Sequence, residues 1–148
     1  MGFRYTFQKI VDLKTNEKTQ AEWMLSTAIG RLQEEKKTLS ELQASRNKLA
    51  EELMQQSERS TPVFMLRELQ NYAVHLDQCI VRKSNDVHRA NINVQKKQDV
   101  LTHKLLDEKV WLKSREKAKA QFQQEVLLQE QNELDEMATV RYAMRSRA

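Results

Sequence analysis

His75 and Cys79 are the residues whose types and spacing come closest to a chemical site. Four positions apart on a helix, they share one face, where an imidazole and a thiol could bind a metal or form a nucleophilic pair. A structural zinc ion usually takes four ligands, however, and His88 and His103 lie turns away. A long helix pair also offers no pocket that would hold a base beside the thiol. We therefore predict no metal, no cofactor, no catalytic residue and no enzymatic activity.

Charged residues are unevenly distributed along the second half of the chain. The range 82–119 holds 11 basic and 5 acidic residues, whereas 120–140 holds 5 acidic residues and no basic one. The sequence has no basic-zipper, helix-turn-helix or RNA-recognition signature, and the interleaved carboxylates would repel phosphate. We interpret the basic range as a solvated helix face or a surface for an acidic protein, and expect no nucleic-acid partner. The carboxylates of the acidic range are interpreted as a solvated or docking face rather than an acid/base pair; they include Glu130, Glu133, Asp135 and Glu136.

The elements that must position these side chains are helices. Hydrophobic residues make up 39% of the chain and charged residues 31%, with two glycines and one proline in 148 residues, which is too few apolar and turn residues for a large compact core. A coiled-coil seam needs only about two apolar positions in seven. The single cysteine fits a reducing compartment, and no apolar run approaches the roughly 20 residues that span a bilayer. We expect a soluble, cytoplasmic protein without direct membrane insertion.

The segment 57–62 contains the only proline and separates two helical patterns. Pro62 is tolerated at the first position of a new helix, and Thr61 is predicted to cap that helix through its hydroxyl. The predicted fold is all-α, an antiparallel two-helix coiled-coil hairpin with a longer second helix, forming a single domain over 1–148. We place the first helix at about 3–56 and the second at about 63–144.

Heptad patterns in both helices support this hairpin. Leucine and other aliphatic residues recur at the seam positions, and the interruptions are charged: Glu35 and Arg46 in the first helix, and Lys83, Lys97 and Lys104 in the second. A turn near residue 60 places residue i opposite about 121 minus i. Residues 119–148 then have no partner within the chain, so we expect this overhang either to fray or to be covered by another protein.

Three segments resemble the FliJ family of bacterial flagellar export proteins. They are FRYTFQKIVDLK at the beginning, ELQNYAVHLDQCI after the turn and EQNELDEMATVRY near the end. The resemblance implies a non-enzymatic component of flagellar type III secretion, similar to the rotor subunit of rotary ATPases. It implies binding to the hexameric export ATPase and promotion of its assembly, contact with the cytoplasmic part of the export-gate protein FlhA, and escort of export chaperones. It also implies peripheral association with the inner face of the cell membrane at the flagellar base.

The resemblance further implies two partner-binding surfaces. The export-gate surface carries over to Leu42, Leu49, Tyr72, Leu76 and Cys79. The three leucines lie at d positions, which are core positions by default, so the pattern alone predicts that they close the hairpin. For the export ATPase, a rotor-like coil would present its aromatic beginning and its overhang, and the predicted residues are Phe3, Phe7, Phe122, Leu127, Leu134 and Met137.

Two other function classes remain open at this point. One is a structural or tethering coiled coil, which could be a homodimer. The other is a helical protein that binds nucleic acid through residues 82–119, with binding that weakens steeply as salt rises.

Overall fold

Two α-helices joined by a short turn make up almost all of the computed structural model, which describes residues 2–147. Helix α1 covers Gln8–Glu58 and helix α2 covers Val63–Ser146, and none of the described residues forms a strand. The predicted all-α fold, with two helices packed against each other and the second longer, is confirmed. Three bounds differ: α1 begins at Gln8 rather than near Phe3, and the two helices end at Glu58 and Ser146, each two residues later than predicted. Neither helix in the described range combines the length and apolar character needed to cross a membrane.

The chain divides into two compact units. The turn unit contains Gln20–Thr102, and the terminal unit contains the first nineteen residues together with those from His103 onward. In each unit, a stretch of α1 packs against a stretch of α2. The single-domain organisation stays a prediction.

The turn at residues 59–62 is closed mainly by Thr61. Its hydroxyl donates to the backbone oxygen of Gln56 at 2.9 Å, and the side-chain amide oxygen of Gln56 lies at the same distance. The Thr61 hydroxyl therefore bonds to a backbone oxygen in the last turn of α1. The prediction that this hydroxyl caps the second helix is wrong. The carbonyl of Pro62 accepts the first bonds of α2, from the amides of Met65 and Leu66. Proline suits this position because it lacks only an amide that would be unpaired there.

Ion pairs across the two helices fix an antiparallel register within each unit. In the turn unit, Arg46 contacts Asp77. In the terminal unit, Lys14 contacts Asp107 and Lys18 contacts Glu108. Each partner lies within about five residues of the position that a turn near residue 60 predicts. The register that the sequence predicted is thus the one found in each unit.

The apolar core is a narrow seam with small side chains. Among residues 2–147, six are buried and half of these are alanines: Val11, Ala21, Ala28, Leu49, Ala73 and Leu76. Alanine at a seam position lets the backbones of two helices approach closely. Such a seam leaves most of each helix surface open to solvent.

Candidate partner-binding surfaces

The leucines of the predicted export-gate surface belong to the core of the turn unit. Leu49 and Leu76 are each only 5% exposed and form one cluster with Ala73. Leu42 packs against this cluster and is half-buried. These three predicted site residues therefore hold the two helices together, and their side chains present little area to a partner.

Tyr72 and Cys79 lie outside that core, and His75 joins them. Tyr72 is 52% exposed, and its ring stacks on the imidazole of His75 with centroids 6.5 Å apart. The Cys79 sulfur lies 3.6 Å from His75 Nε2, and the cysteine is half-buried. Tyr72, His75 and Cys79 thus form a row on one face of α2, and the export-gate surface stays a prediction. His75 was not among the predicted residues of that surface, although its spacings of three and four residues from Tyr72 and Cys79 could have shown that it lies between them.

Four of the five charged interruptions of the two heptad patterns, Glu35, Arg46, Lys83 and Lys104, pair with an opposite charge on the facing helix. Lys83 Nζ lies 2.9 Å from Glu35 Oε2, and Arg31 Nε lies 3.2 Å from Glu35 Oε1. Lys104 Nζ lies 3.2 Å from Glu17 Oε2. A charge at a seam position is acceptable when it meets an opposite charge, because the partner replaces lost hydration. These contacts explain why the seam continues through residues that the heptad pattern disfavours.

Glu35 gives the turn unit a pH dependence with a definite sign. The hydrogen bond from Lys83 holds the pKa of Glu35 below its usual 4.5 and that of Lys83 above its usual 10.5. The stabilisation from Glu35 is therefore present above pH 4.5 and lost as pH falls through the lowered value, whereas that from Lys83 is lost only as pH rises through its raised value. We expect Glu35→Gln to lose less thermal stability than the wild type between neutral pH and about pH 3. Melting curves followed by circular dichroism at each pH measure this loss. Glu41→Gln, at an exposed position of α1, is the control. If it reduced the loss as much as Glu35→Gln does, the result would contradict the prediction.

An aromatic cluster anchors the beginning of the chain in the terminal unit. Phe3 packs on Phe122 with ring centroids 5.6 Å apart, and Phe7 meets Trp111 edge-on at 5.9 Å. The Tyr5 hydroxyl lies 2.8 Å from the Ser114 hydroxyl. These contacts hold residues 3–7 against α2 outside the helix, which is why α1 begins later than predicted. Three predicted ATPase-binding residues, Phe3, Phe7 and Phe122, thus already have partners within the chain.

The other three predicted ATPase-binding residues lie on the C-terminal segment, which we define as residues 123–147. Every residue of 127–147 is exposed, including Leu127, Leu134 and Met137. The overhang was predicted over 119–148; residues 127–147 are exposed, whereas Phe122 packs on Phe3. Large apolar side chains exposed along one helix mark an interaction surface.

Metal-binding side chains are not assembled in the described part of the chain. Between residues 2 and 147, no three His, Cys, Asp or Glu side chains come together in a way that could hold a metal ion. The surfaces that remain are helix faces suited to binding other proteins. The prediction that the chain is not an enzyme stays a prediction.

Comparisons with known proteins cover almost the entire chain. The Flagellar FliJ protein of Bacillus subtilis (strain 168) is 25% identical over 138 residues, which are 93% of this chain and 94% of the relative. A solved structure from Chlamydia trachomatis, proposed to be a YscO homologue, shares 19% identity with a TM-score of 0.43 and is matched over 99% of both chains. The family model described as Flagellar FliJ protein matches residues 3–147. A match of this extent shows that the chain belongs to the FliJ family and is a component of flagellar protein export.

Proposed function

We propose that the chain is a non-enzymatic adaptor that binds the hexameric flagellar export ATPase in a rotor-like manner and promotes assembly of its ring. The observation that supports this most is the C-terminal segment, whose apolar side chains are all exposed at 127–147. An exposed helix with leucine and methionine along it fits a groove or ring on another protein. Membership of the FliJ family supports placing that partner within the flagellar export system.

The acidic character of the segment narrows the chemistry of the partner surface. Residues 120–140 carry acidic side chains and no basic one. The proposed ATPase surface therefore combines apolar pockets with lysine or arginine, because opposite charges speed encounter and fix register at an interface. Binding should weaken as salt rises.

Leu127 and Leu128 make a matched pair for testing ATPase binding. They are adjacent and almost equally exposed, at 65% and 60%, but they face different sides of the helix. We expect Leu127→Ser combined with Leu134→Ser to weaken binding of the purified export ATPase by at least about tenfold, since buried anchor residues carry most of an interface's energy. Biolayer interferometry with the full-length chain measures this, and Leu128→Ser serves as the control. Unchanged affinity in the double variant, with helicity retained, would refute the proposal.

The face of Tyr72, His75 and Cys79 is proposed to contact the cytoplasmic part of FlhA. Tyr72 is the anchor, because an exposed aromatic outside the seam is the residue type that most often dominates an interface. Export chaperones are proposed as further partners, and the site of action is proposed to be cytoplasmic, at the inner face of the membrane below the flagellum. Of the alternatives, nucleic-acid binding is disfavoured because Lys83, Arg89 and Lys104 of the basic range each contact a carboxylate.

A further inference from the structure

One face of the C-terminal segment carries a stripe that repeats with coiled-coil spacing. Leu127, Leu134, Met137 and Met144 are separated by seven, three and seven residues, and all four are exposed. In a heptad repeat with Leu127 and Leu134 at a positions, Met137 and Met144 fall at d positions. The stripe therefore has the pattern of a helix that pairs with another helix.

The two remaining positions of the stripe are occupied by opposite charges. Glu130 is the d position between the two leucines, and Arg141 is the a position between the two methionines. Eleven residues separate them, so on one helix they lie about 16 Å apart and cannot pair with each other. A suitable partner helix must offer a positive group opposite Glu130 and a negative group opposite Arg141.

A second copy of the same segment, running antiparallel, supplies both groups. In antiparallel coiled coils each a residue faces a d residue of the other helix. Aligning Leu134 with Met137 of the second copy also aligns Leu127 with Met144 and Glu130 with Arg141. The two-fold axis repeats each of these contacts. All six layers of the stripe are then either apolar pairs or ion pairs.

The parallel arrangement is disfavoured by the same residues. In register, it would set Glu130 against Glu130 and Arg141 against Arg141 of the other copy, and like charges facing each other are unfavourable. The order of charges along the stripe thus selects both the partner and its direction.

We propose that the C-terminal segment forms an antiparallel homodimer through this stripe, with the second copy as its occupant. The inference uses only the segment's own sequence and exposure, and it stands without the proposed ATPase interaction. If the proposed function also holds, the second copy and the ATPase compete for Leu127, Leu134 and Met137. The stripe is then buried in the dimer when the ATPase is absent.

A charge-exchange series in the full-length chain tests the pairing. Dimer dissociation constants are measured by sedimentation equilibrium at low salt, without ATPase. We expect Glu130→Arg and Arg141→Glu each to weaken the dimer by at least about tenfold, since each turns two attractive pairs into repulsive ones. The double variant should restore the wild-type constant, because its charges are again complementary. Asp135→Arg, which changes the charge equally but lies off the stripe, should leave the constant unchanged.

Disulfide trapping tests the direction. In a Cys79→Ser background, a mixture of the Leu127→Cys and Met144→Cys variants should form a covalent dimer under mild oxidation, because facing seam residues have the spacing that a disulfide needs. Each variant alone should not. A covalent dimer from Leu127→Cys alone would indicate parallel pairing and overturn the proposal. A wild-type chain that stays monomeric at every concentration, or a charge exchange that fails to restore the dimer, would overturn it as well. None of these dimerisation results depends on whether the chain binds the ATPase, so the two proposals are tested separately.

Discussion

Leu76→Ala is expected to lower the free energy of unfolding by about 2 to 3 kcal/mol, the lower part of the range for buried leucine truncations. Leu76 is 5% exposed and lies in the cluster with Leu49 and Ala73. Removing its side chain leaves a gap that the facing helix can only partly close, because Leu42 and Leu69 also pack there. Denaturant unfolding followed by circular dichroism measures the loss. This cost is a large fraction of the stability expected of a domain of this kind.

Tyr72→Ala is the matched variant, since Tyr72 lies one turn before Leu76 but is 52% exposed. It should change stability little and instead weaken binding to the cytoplasmic part of FlhA by about tenfold or more. The two variants separate the structural members of the predicted gate surface from its binding members. A Leu76→Ala protein as stable as the wild type would show that the side chain is not a core residue, and an unchanged FlhA affinity in Tyr72→Ala would remove the proposed anchor.

The fold was predictable because a single feature decides it. Pro62 is the only proline, and a turn at that point fixes which residues of the two helices face each other. The ion pair between Arg46 and Asp77 follows from that register to within a few residues. The pairing of Glu35 with Lys83 was not predicted, because a shift of one residue rotates a side chain by about 100° around the helix. A register known only to a few residues cannot say which charges meet.

The candidate surfaces were less predictable, for two physical reasons. A leucine at a d position is a core residue by default, so the pattern favoured a core role for Leu42 and Leu49, and only the family resemblance gave them a binding role. The spacing of Phe3 and Phe7 fits a helix, but tertiary contacts with Phe122 and Trp111 hold these residues outside it. The uncovered segment 127–147, by contrast, followed directly from the unequal helix lengths.

Trp111→Ala should release Phe7 from α2. The Trp111 ring meets Phe7 at 5.9 Å, and the Phe7 carbonyl accepts from the amides of Ile10 and Val11 at 3.0 and 3.1 Å. Without the indole, Phe7 loses its packing partner, and those amides lose the group that holds their acceptor in place. We expect the local free energy of opening to fall by about 2 kcal/mol, which is about thirtyfold faster hydrogen exchange at Ile10 and Val11. Exchange measured by NMR reports each amide separately.

Trp23→Ala provides the control, because Trp23 lies on α1, the helix that follows Phe7, and is 72% exposed. It removes an equal side chain and should leave exchange at Ile10 and Val11 unchanged; a similar acceleration there would show that the aromatic cluster is not what holds the first turn. The same pair of variants also tests how Phe7 contributes to the proposed ATPase binding. If this ring binds the ATPase while packed on α2, Trp111→Ala should weaken that binding along with the local structure. Unchanged or tighter binding would mean that the Phe7 ring binds the ATPase only after release, or not at all.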